Sequence, residues 1–308
     1  MTGTKAAEIT RRDFLRGTLA LTGAALLAKP NLALSADENV LPVEFHGPWG
    51  VAFDPDGNLY ISDPGRYGIR VFSPDGRELR RFGKPGSGEG HLNYPTGLSW
   101  RDGLLYICDT NNGRIAVTDQ EGNHQRHFGS LGITTARLAM PNGVWAGSRW
   151  IWVANTRGHV LQRYSPKDGR LESAFGRLGD EKTLPEAGSI DYLLRQPTAV
   201  IGDDQGRIFL LDSKHARLLA LDEEGRFRWE SKAAFGGVAL SRPQGLAYAD
   251  GALYLADTGN HRILKLDGEG RAVDQMTGVH EPYGLAAAGG KLAVAQFKDR
   301  VVRLMDVF

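Results

Sequence analysis

Six times the sequence repeats one short phrase: a proline, a variable residue, a small residue and then an apolar run. The copies begin at Pro48-Trp49-Gly50, Pro95-Thr96-Gly97, Pro141-Asn142-Gly143, Pro197-Thr198-Ala199, Pro243-Gln244-Gly245 and Pro282-Tyr283-Gly284, with starts 47, 46, 56, 46 and 39 residues apart. Self-similarity at such a period belongs to architectures built from equivalent units, each of which buries its apolar faces only against its neighbours. It runs without a linker from about residue 40 to the end of the 308-residue chain, so it sets the fold before any single residue is considered.

Within a repeat the segments are too short for helices. In the second copy, Leu98-Ser99-Trp100, Leu104 to Cys108, Ile115 to Thr118 and His124 to Phe128 are separated by Arg101-Asp102-Gly103, Asp109 to Gly113 and Gln120-Glu121-Gly122. Apolar runs bounded by Gly, Asp and Asn read as strands and tight turns. Four antiparallel strands per 40–50 residues is the blade of a β-propeller. The expected fold is therefore all-β, a six-bladed propeller. The sixth copy ends after three strands, while Val40-Leu41-Pro42-Val43-Glu44-Phe45 precedes the first. The N-terminal strand is expected to complete the last blade, which removes the exposed edges of an open sheet.

The segment Ala256-Asp257-Thr258-Gly259-Asn260-His261-Arg262-Ile263 resembles the core of the NHL repeat, and Asp109 to Ile115 and Asp212 to Leu218 resemble it closely. The resemblance extends over about 260 residues and implies a six-bladed propeller. The first and third copies depart from it, with Gly68 and Val160 in place of the arginine and Asn155 in place of the aspartate; in the sixth, Gln296 replaces the aspartate. The Asp and Arg five apart are expected to brace the loop between second and third strands.

The leading residues follow a different grammar. Arg11-Arg12-Asp13-Phe14-Leu15-Arg16 precedes an apolar stretch from Thr18 to Ala28, then Lys29 and the small-residue region Ala33-Leu34-Ser35-Ala36. This resembles a twin-arginine (Tat) export signal. Its apolar stretch falls short of the ~20 residues that span a bilayer. The organisation expected is a cleaved signal peptide, residues 1–35, and a propeller, residues 36–308, in the periplasm or secreted. The signal carries five basic and two acidic residues, so the +1 chain becomes a −2 mature protein, without the basic footprint of nucleic-acid binding. The single cysteine, Cys108, excludes an internal disulfide and reads as a buried thiol.

Function must be argued from the site. The variable residues of the triplets, Trp49, Thr96, Asn142, Thr198, Gln244 and Tyr283, should ring one mouth of the central channel. They are uncharged, and Trp49 and Tyr283 become neighbours on closure, an arrangement suited to stacking with hydrogen bonds. The mouth is expected to bind a small ligand or a protein partner, with a partner-binding rim formed by the loop residues Arg66, Arg157, His159, His215, His261, Asp180 and Tyr192. The alternative is a periplasmic lyase or hydrolase similar to the amidating lyases or the regucalcin-type lactonases. Those resemblances imply histidines or carboxylates at the axis, and none of the six positions here carries either. His159, His215 and His261 lie in equivalent loops roughly 11–14 Å from the axis, too far apart to share an ion. No cofactor or metal site is expected, zinc or calcium belonging only to the metal-assisted lyase or hydrolase alternative, and the chain is expected to act as a monomer.

Overall fold

Each Pro-x-small triplet opens an innermost strand whose glycine lets the next blade approach. The computed structural model describes residues 40–179, 186–203, 205–231 and 234–308; the expected signal peptide and Asp180 lie outside the described residues. The first blade holds β1 (Val51–Phe53), β2 (Leu59–Asp63), β3 (Gly68–Phe72) and β4 (Glu78–Phe82). The second holds β5 (Pro95–Arg101), β6 (Leu104–Asp109), β7 (Arg114–Asp119) and β8 (His124–Phe128). The third holds β9 (Pro141–Ala146), β10 (Ile151–Asn155), β11 (Val160–Tyr164) and β12 (Leu171–Phe175). A two-stranded parallel ribbon, β13 (Arg177–Leu178) with β14 (Leu193–Leu194), interrupts the series. The fourth blade is β15 (Pro197–Gly202), β16 (Ile208–Asp212), β17 (Arg217–Leu221) and β18 (Phe227–Ser231). The fifth is β19 (Gly245–Ala249), β20 (Ala252–Asp257), β21 (Arg262–Leu266) and β22 (Ala272–Thr277), and the sixth is β23 (Pro282–Ala288), β24 (Lys291–Gln296) and β25 (Val301–Asp306). Within each blade, neighbours in sequence pair antiparallel.

The inner strands touch in succession, and β23 returns to β1, so the ring is closed. The small residue of the triplet explains how. A Cβ on Gly50 would lie 2.2 Å from the Thr96 carbonyl oxygen, on Gly97 2.3 Å from that of Asn142, on Gly143 2.7 Å from that of Thr198, on Gly245 2.0 Å from that of Tyr283, and on Gly284 2.0 Å from that of Trp49. Five of the six seams thus press a glycine against the carbonyl of the variable residue one blade on. Only Ala199 admits a methyl group.

The second strands Leu59–Asp63, Ile151–Asn155 and Ile208–Asp212 are buried along their whole length, whereas the outer strand Glu78–Phe82 alternates between half-buried and exposed. This is the sequence logic of sheets packed face to face, with only the outermost strand meeting water. The cores lie between blades: Trp152, Phe175, Tyr192 and Leu194 of one side meet Leu210 and Leu219 of the next.

The N-terminal segment differs from the strand expected. Leu41 N donates to Val302 O at 3.0 Å and Phe45 N to Arg300 O at 3.3 Å, with a single bridge between Val40 and Arg303. Pro42 has no N–H to offer a ladder, and Val43 N turns back to Leu41 O at 2.8 Å. The sixth sheet therefore has three strands, with this segment along its outer edge. Leu41 and Phe45 are nonetheless buried, in one cluster with Val302 and Leu304.

Candidate functional site at the axial mouth

The mouth is held by staples that recur from blade to blade. An apolar residue three before each ring proline is buried: Phe45, Leu92, Leu138, Leu194, Leu240 and Val279. One residue later, the backbone N–H donates to the carboxylate closing the second strand. His46 N meets Asp63 Oδ1 at 2.7 Å, Asn93 N meets Asp109 Oδ1 at 2.6 Å, Arg195 N meets Asp212 Oδ1 at 2.7 Å and Ser241 N meets Asp257 Oδ1 at 2.7 Å. The second oxygen accepts from the arginine five on: Arg114 Nε at 2.7 Å, Arg217 Nε at 2.9 Å and Arg262 Nε at 2.7 Å. These guanidinium groups reach on to carbonyls of the preceding interblade loop, Ser87 and His91 for Arg114 and Val238 for Arg262. The Asp–Arg pair thus braces the loop that enters the blade, not only the loop between second and third strands. The irregular blades substitute amides: Asn155 Oδ1 accepts from Ala139 N at 2.8 Å, and Gln296 Nε2 donates to His280 O at 2.8 Å.

In blades two to five a hydroxyl following the carboxylate or amide ties the blade to the next ring proline. Thr110, Thr156, Ser213 and Thr258 donate to the carbonyls of Pro141, Pro197, Pro243 and Pro282 at 2.8, 2.7, 2.6 and 2.5 Å. The hydroxyl is missing from the first blade, where Pro64 follows Asp63, and from the sixth, where Phe297 follows Gln296. Phe297 stands at this position in the sixth blade and packs on Trp49, with centroids 5.5 Å apart and rings at 79°.

Around Trp49 the structure gathers four aromatic rings. Tyr283 lies 4.9 Å from Trp49, Tyr94 6.1 Å from it, and Phe297 5.4 Å from Tyr283. The edge-on angles of 68–79° to Trp49 are those aromatic quadrupoles favour. Trp49, Asn142, Thr198, Gln244 and Tyr283 line one cavity of about 70 Å³ at the axis. The aliphatic ring Val51, Leu98, Val144, Val200, Leu246 and Leu285 lines both this cavity and another of about 190 Å³ farther along the channel, beside Trp100, Trp145 and Tyr248.

One edge of the mouth is charged. Glu281 is 4% exposed; its Oε1 accepts from Lys298 Nζ at 2.8 Å and faces Arg242 Nη2 at 3.5 Å. The Lys298 hydrogen bond holds the Glu281 carboxyl below its ordinary range. Burial, and then the charge of Glu281, push the Tyr283 phenol up; burial does the same to Tyr94. Every residue before a ring proline has a positive φ, from 37° at Glu281 to 99° at Gly47. Five of the six are not glycine, an uncommon conformation for such residues that concentrates backbone strain around the mouth.

Not every expected residue reaches the site. Thr96 is fully buried, and its hydroxyl pairs with Thr110 Oγ1 at 2.7 Å, since the short side chain meets its own blade's staple to Pro141. His215 is 3% exposed with Nδ1 2.7 Å from Asp212 Oδ2; it lies one residue before the turn's left-handed position, so it faces inward instead of lining the rim. Tyr192 is 1% exposed in the core between blades three and four, its hydroxyl 3.4 Å from Gly225 O. His159 and His261 do occupy the left-handed turn position, where each Nδ1 accepts a backbone N–H, of Gln196 and of Glu281, at 3.1 Å. Arg66 and Arg157 are exposed, Arg66 donating to His46 Nε2 at 2.9 Å. Cys108 is buried, and burial pushes its thiol pKa up. Among the described residues no three His, Cys, Asp or Glu side chains converge as metal ligands, and no helix is long and apolar enough to cross a membrane. Phe297, Tyr94 and Glu281 were not anticipated; the break at Phe297 in the hydroxyl series was the available signal.

Residues 45–76 and 240–266 match the NHL repeat, and residues 8–28 match the twin-arginine translocation pathway signal sequence. The chain carries NHL repeats behind a twin-arginine export signal. That signal directs it to the periplasm or beyond. No curated protein matches it in sequence. Similar solved structures include a gluconolactonase from Xanthomonas campestris (TM-score 0.64, 14% identity, covering 90% of this chain and 91% of that one). A catalytically inactive virginiamycin B lyase from Staphylococcus aureus with quinupristin is similar too (TM-score 0.60, 17% identity, 87% and 86% covered), as is a chain of the nidogen/laminin complex (TM-score 0.60, 18% identity, 78% and 84% covered). At these identities the likeness is one of fold.

Proposed function

We propose that this exported propeller is a recognition module whose axial mouth receives a protruding side chain of a partner protein in the cell envelope. The observation that carries the reading is the cluster of Trp49, Tyr94, Tyr283 and Phe297 at an opening charged along one edge. A cavity of about 70 Å³ is far below the ~300–1,000 Å³ of pockets that enclose small-molecule ligands. It suits a single inserted group stacked on the rings, with the amides of Asn142 and Gln244 as hydrogen-bonding partners. Arg242 and Lys298, both anchored on the buried Glu281, add fixed positive charge at one edge and favour a partner with an acidic flank. The ring residues include no histidine or carboxylate, which favours binding over the lyase and hydrolase activities of proteins sharing the fold. The test is the double variant Trp49→Ala/Tyr283→Ala, checked for native circular dichroism and used to capture partners from the envelope fraction. Loss of a partner held by the native protein is expected; an unchanged set of partners contradicts the proposal.

A further inference from the structure

Large exposed aliphatic side chains are concentrated on one sector of this surface. Leu131, Ile133, Leu178, Ile190 and Val238 all sit on the three consecutive loops joining blades two to three, three to four and four to five. These loops leave fourth strands and enter first strands, so they share the face of the aromatic mouth. Ile133 is 90% exposed.

The loops are built as fingers. In the first, Leu131 bridges Leu138, Arg137 N donates to Thr134 O at 2.9 Å, and the buried Leu138 roots the finger in the core. In the second, β13 pairs with β14, Gly188 and Ser189 exchange hydrogen bonds of 2.8 Å with Phe227, and Leu194 is the buried root. In the third, Val238 N donates to Phe235 O at 3.3 Å, Arg262 holds the Val238 carbonyl at 2.8 Å, and Leu240 is the root. The loop between the first two blades shares this scaffold, with Pro85 bridging Leu92, yet its tip reads Gly86-Ser87-Gly88-Glu89. The scaffold therefore does not demand aliphatic tips. Among the described residues Arg137, Arg157, Arg177, Arg195, Lys214 and Arg242 are exposed in the same sector, against Glu186 and Asp191, with Arg177 paired to Asp191 at 3.2 Å and Arg242 to Glu281 at 3.5 Å.

We propose that these fingers dock the exported protein shallowly onto an anionic phospholipid bilayer, with the aliphatic tips entering the interface and the cations facing lipid phosphates. Protein interfaces are anchored by Trp, Tyr and Arg in a packed centre, with Leu and Val under-represented. Here the exposed side chains are Leu, Ile and Val on separate loops, each with a cation on its own or a neighbouring loop. A bilayer accepts separated apolar points and rewards nearby positive charge. Docked this way, the aromatic mouth faces the membrane plane, where an envelope partner would present itself; the docking does not depend on the mouth's own specificity.

The test is flotation of the mature chain with vesicles of phosphatidylglycerol and phosphatidylethanolamine, against vesicles of phosphatidylcholine alone. Binding to the anionic vesicles, weakened by salt, is expected. Ile133→Ser and Leu178→Ser should each lower partitioning roughly tenfold with an unchanged melting temperature. Leu79→Ser, an exposed apolar position on β4, should leave it unaltered, as should Trp49→Ala/Tyr283→Ala. No binding to anionic vesicles at low salt, or binding undiminished by the finger variants, overturns the proposal. So does capture of a membrane-free protein through the fingers without vesicle binding, which assigns them to that protein.

Discussion

Gly284→Ala strikes the seam where the sixth blade meets the first. The added Cβ would stand 2.0 Å from the Trp49 carbonyl oxygen and 3.1 Å from its carbonyl carbon, both backbone atoms. Real contacts of this kind do not fall below 3.0 Å, so the seam must open by about 1 Å. In a closed ring that opening cannot be taken up at one blade without straining the next. Overpacking of this kind costs about 1–3 kcal/mol, and the alanine recovers about 0.4–1 kcal/mol by restricting the unfolded chain. The net loss is about 1–2 kcal/mol, which lowers the melting temperature by roughly 2–8 °C at this chain length. Gly268→Ala is the matched control, because its Cβ meets only the movable Arg207 guanidinium, at 3.2 Å. Thermal unfolding of the two variants and the native mature chain, followed by circular dichroism, measures the difference. If Gly284→Ala melts with the native protein, the carbonyl contact is not what requires a small residue in the triplet, and the explanation of the repeat fails.

Phe45→Ala removes a fully buried ring that packs 5.9 Å from Phe72 and under the Arg70 guanidinium at 4.5 Å; a cost of about 3–5 kcal/mol in urea unfolding is expected if residues 40–45 hold the sixth blade closed. Arg217→Met leaves Asp212 and Glu230 buried without the guanidinium that now lies 2.9 and 2.8 Å from them, and should cost about 3–5 kcal/mol by the same assay. For Glu78, burial opposes ionisation, but hydrogen bonds from Arg70 and Arg81 prevail and bring its carboxyl from 4.5 down to about 2. A lowered folded value means a contribution fully present above the unfolded value and lost as pH falls from about 4.5 towards 2; Glu78→Gln should flatten that stretch of a melting-temperature profile.

The parts of this fold that repeat were readable from the sequence. Proline fixes the strand entry, glycine permits the close carbonyl, and Asp with Gly makes turns whose side chains bond their own backbone, as Asp119 Oδ1 does with Glu121 N and Asn123 N. Such demands are local, so the proline recurs six times and the glycine five, with Ala199 in its place once. The apolar residue three before each ring proline was equally regular but hidden among varied loops. What the sequence could not disclose was direction. Thr96 and Thr198 look alike, and each hydroxyl reaches the next ring proline's carbonyl, at 3.3 and 3.4 Å, yet only Thr198 also lines the cavity, while Thr96 is fully buried against Thr110. Likewise one residue of register separates His215, turned towards Asp212, from His261 at the turn's left-handed position. The aromatic mouth combines two triplet residues with Phe297 and Tyr94 from other loops, a grouping that exists only once the ring has closed.

The proposal that the mouth is the contact surface can be tested by placing a photo-crosslinking aromatic amino acid at Asn142, on the cavity wall, and at Arg228, on the outer strand β18. Irradiation in intact cells should join a partner to position 142 and none to position 228. Partners joined at position 228 and absent at position 142 would contradict the proposal and place recognition on the flank of the blades.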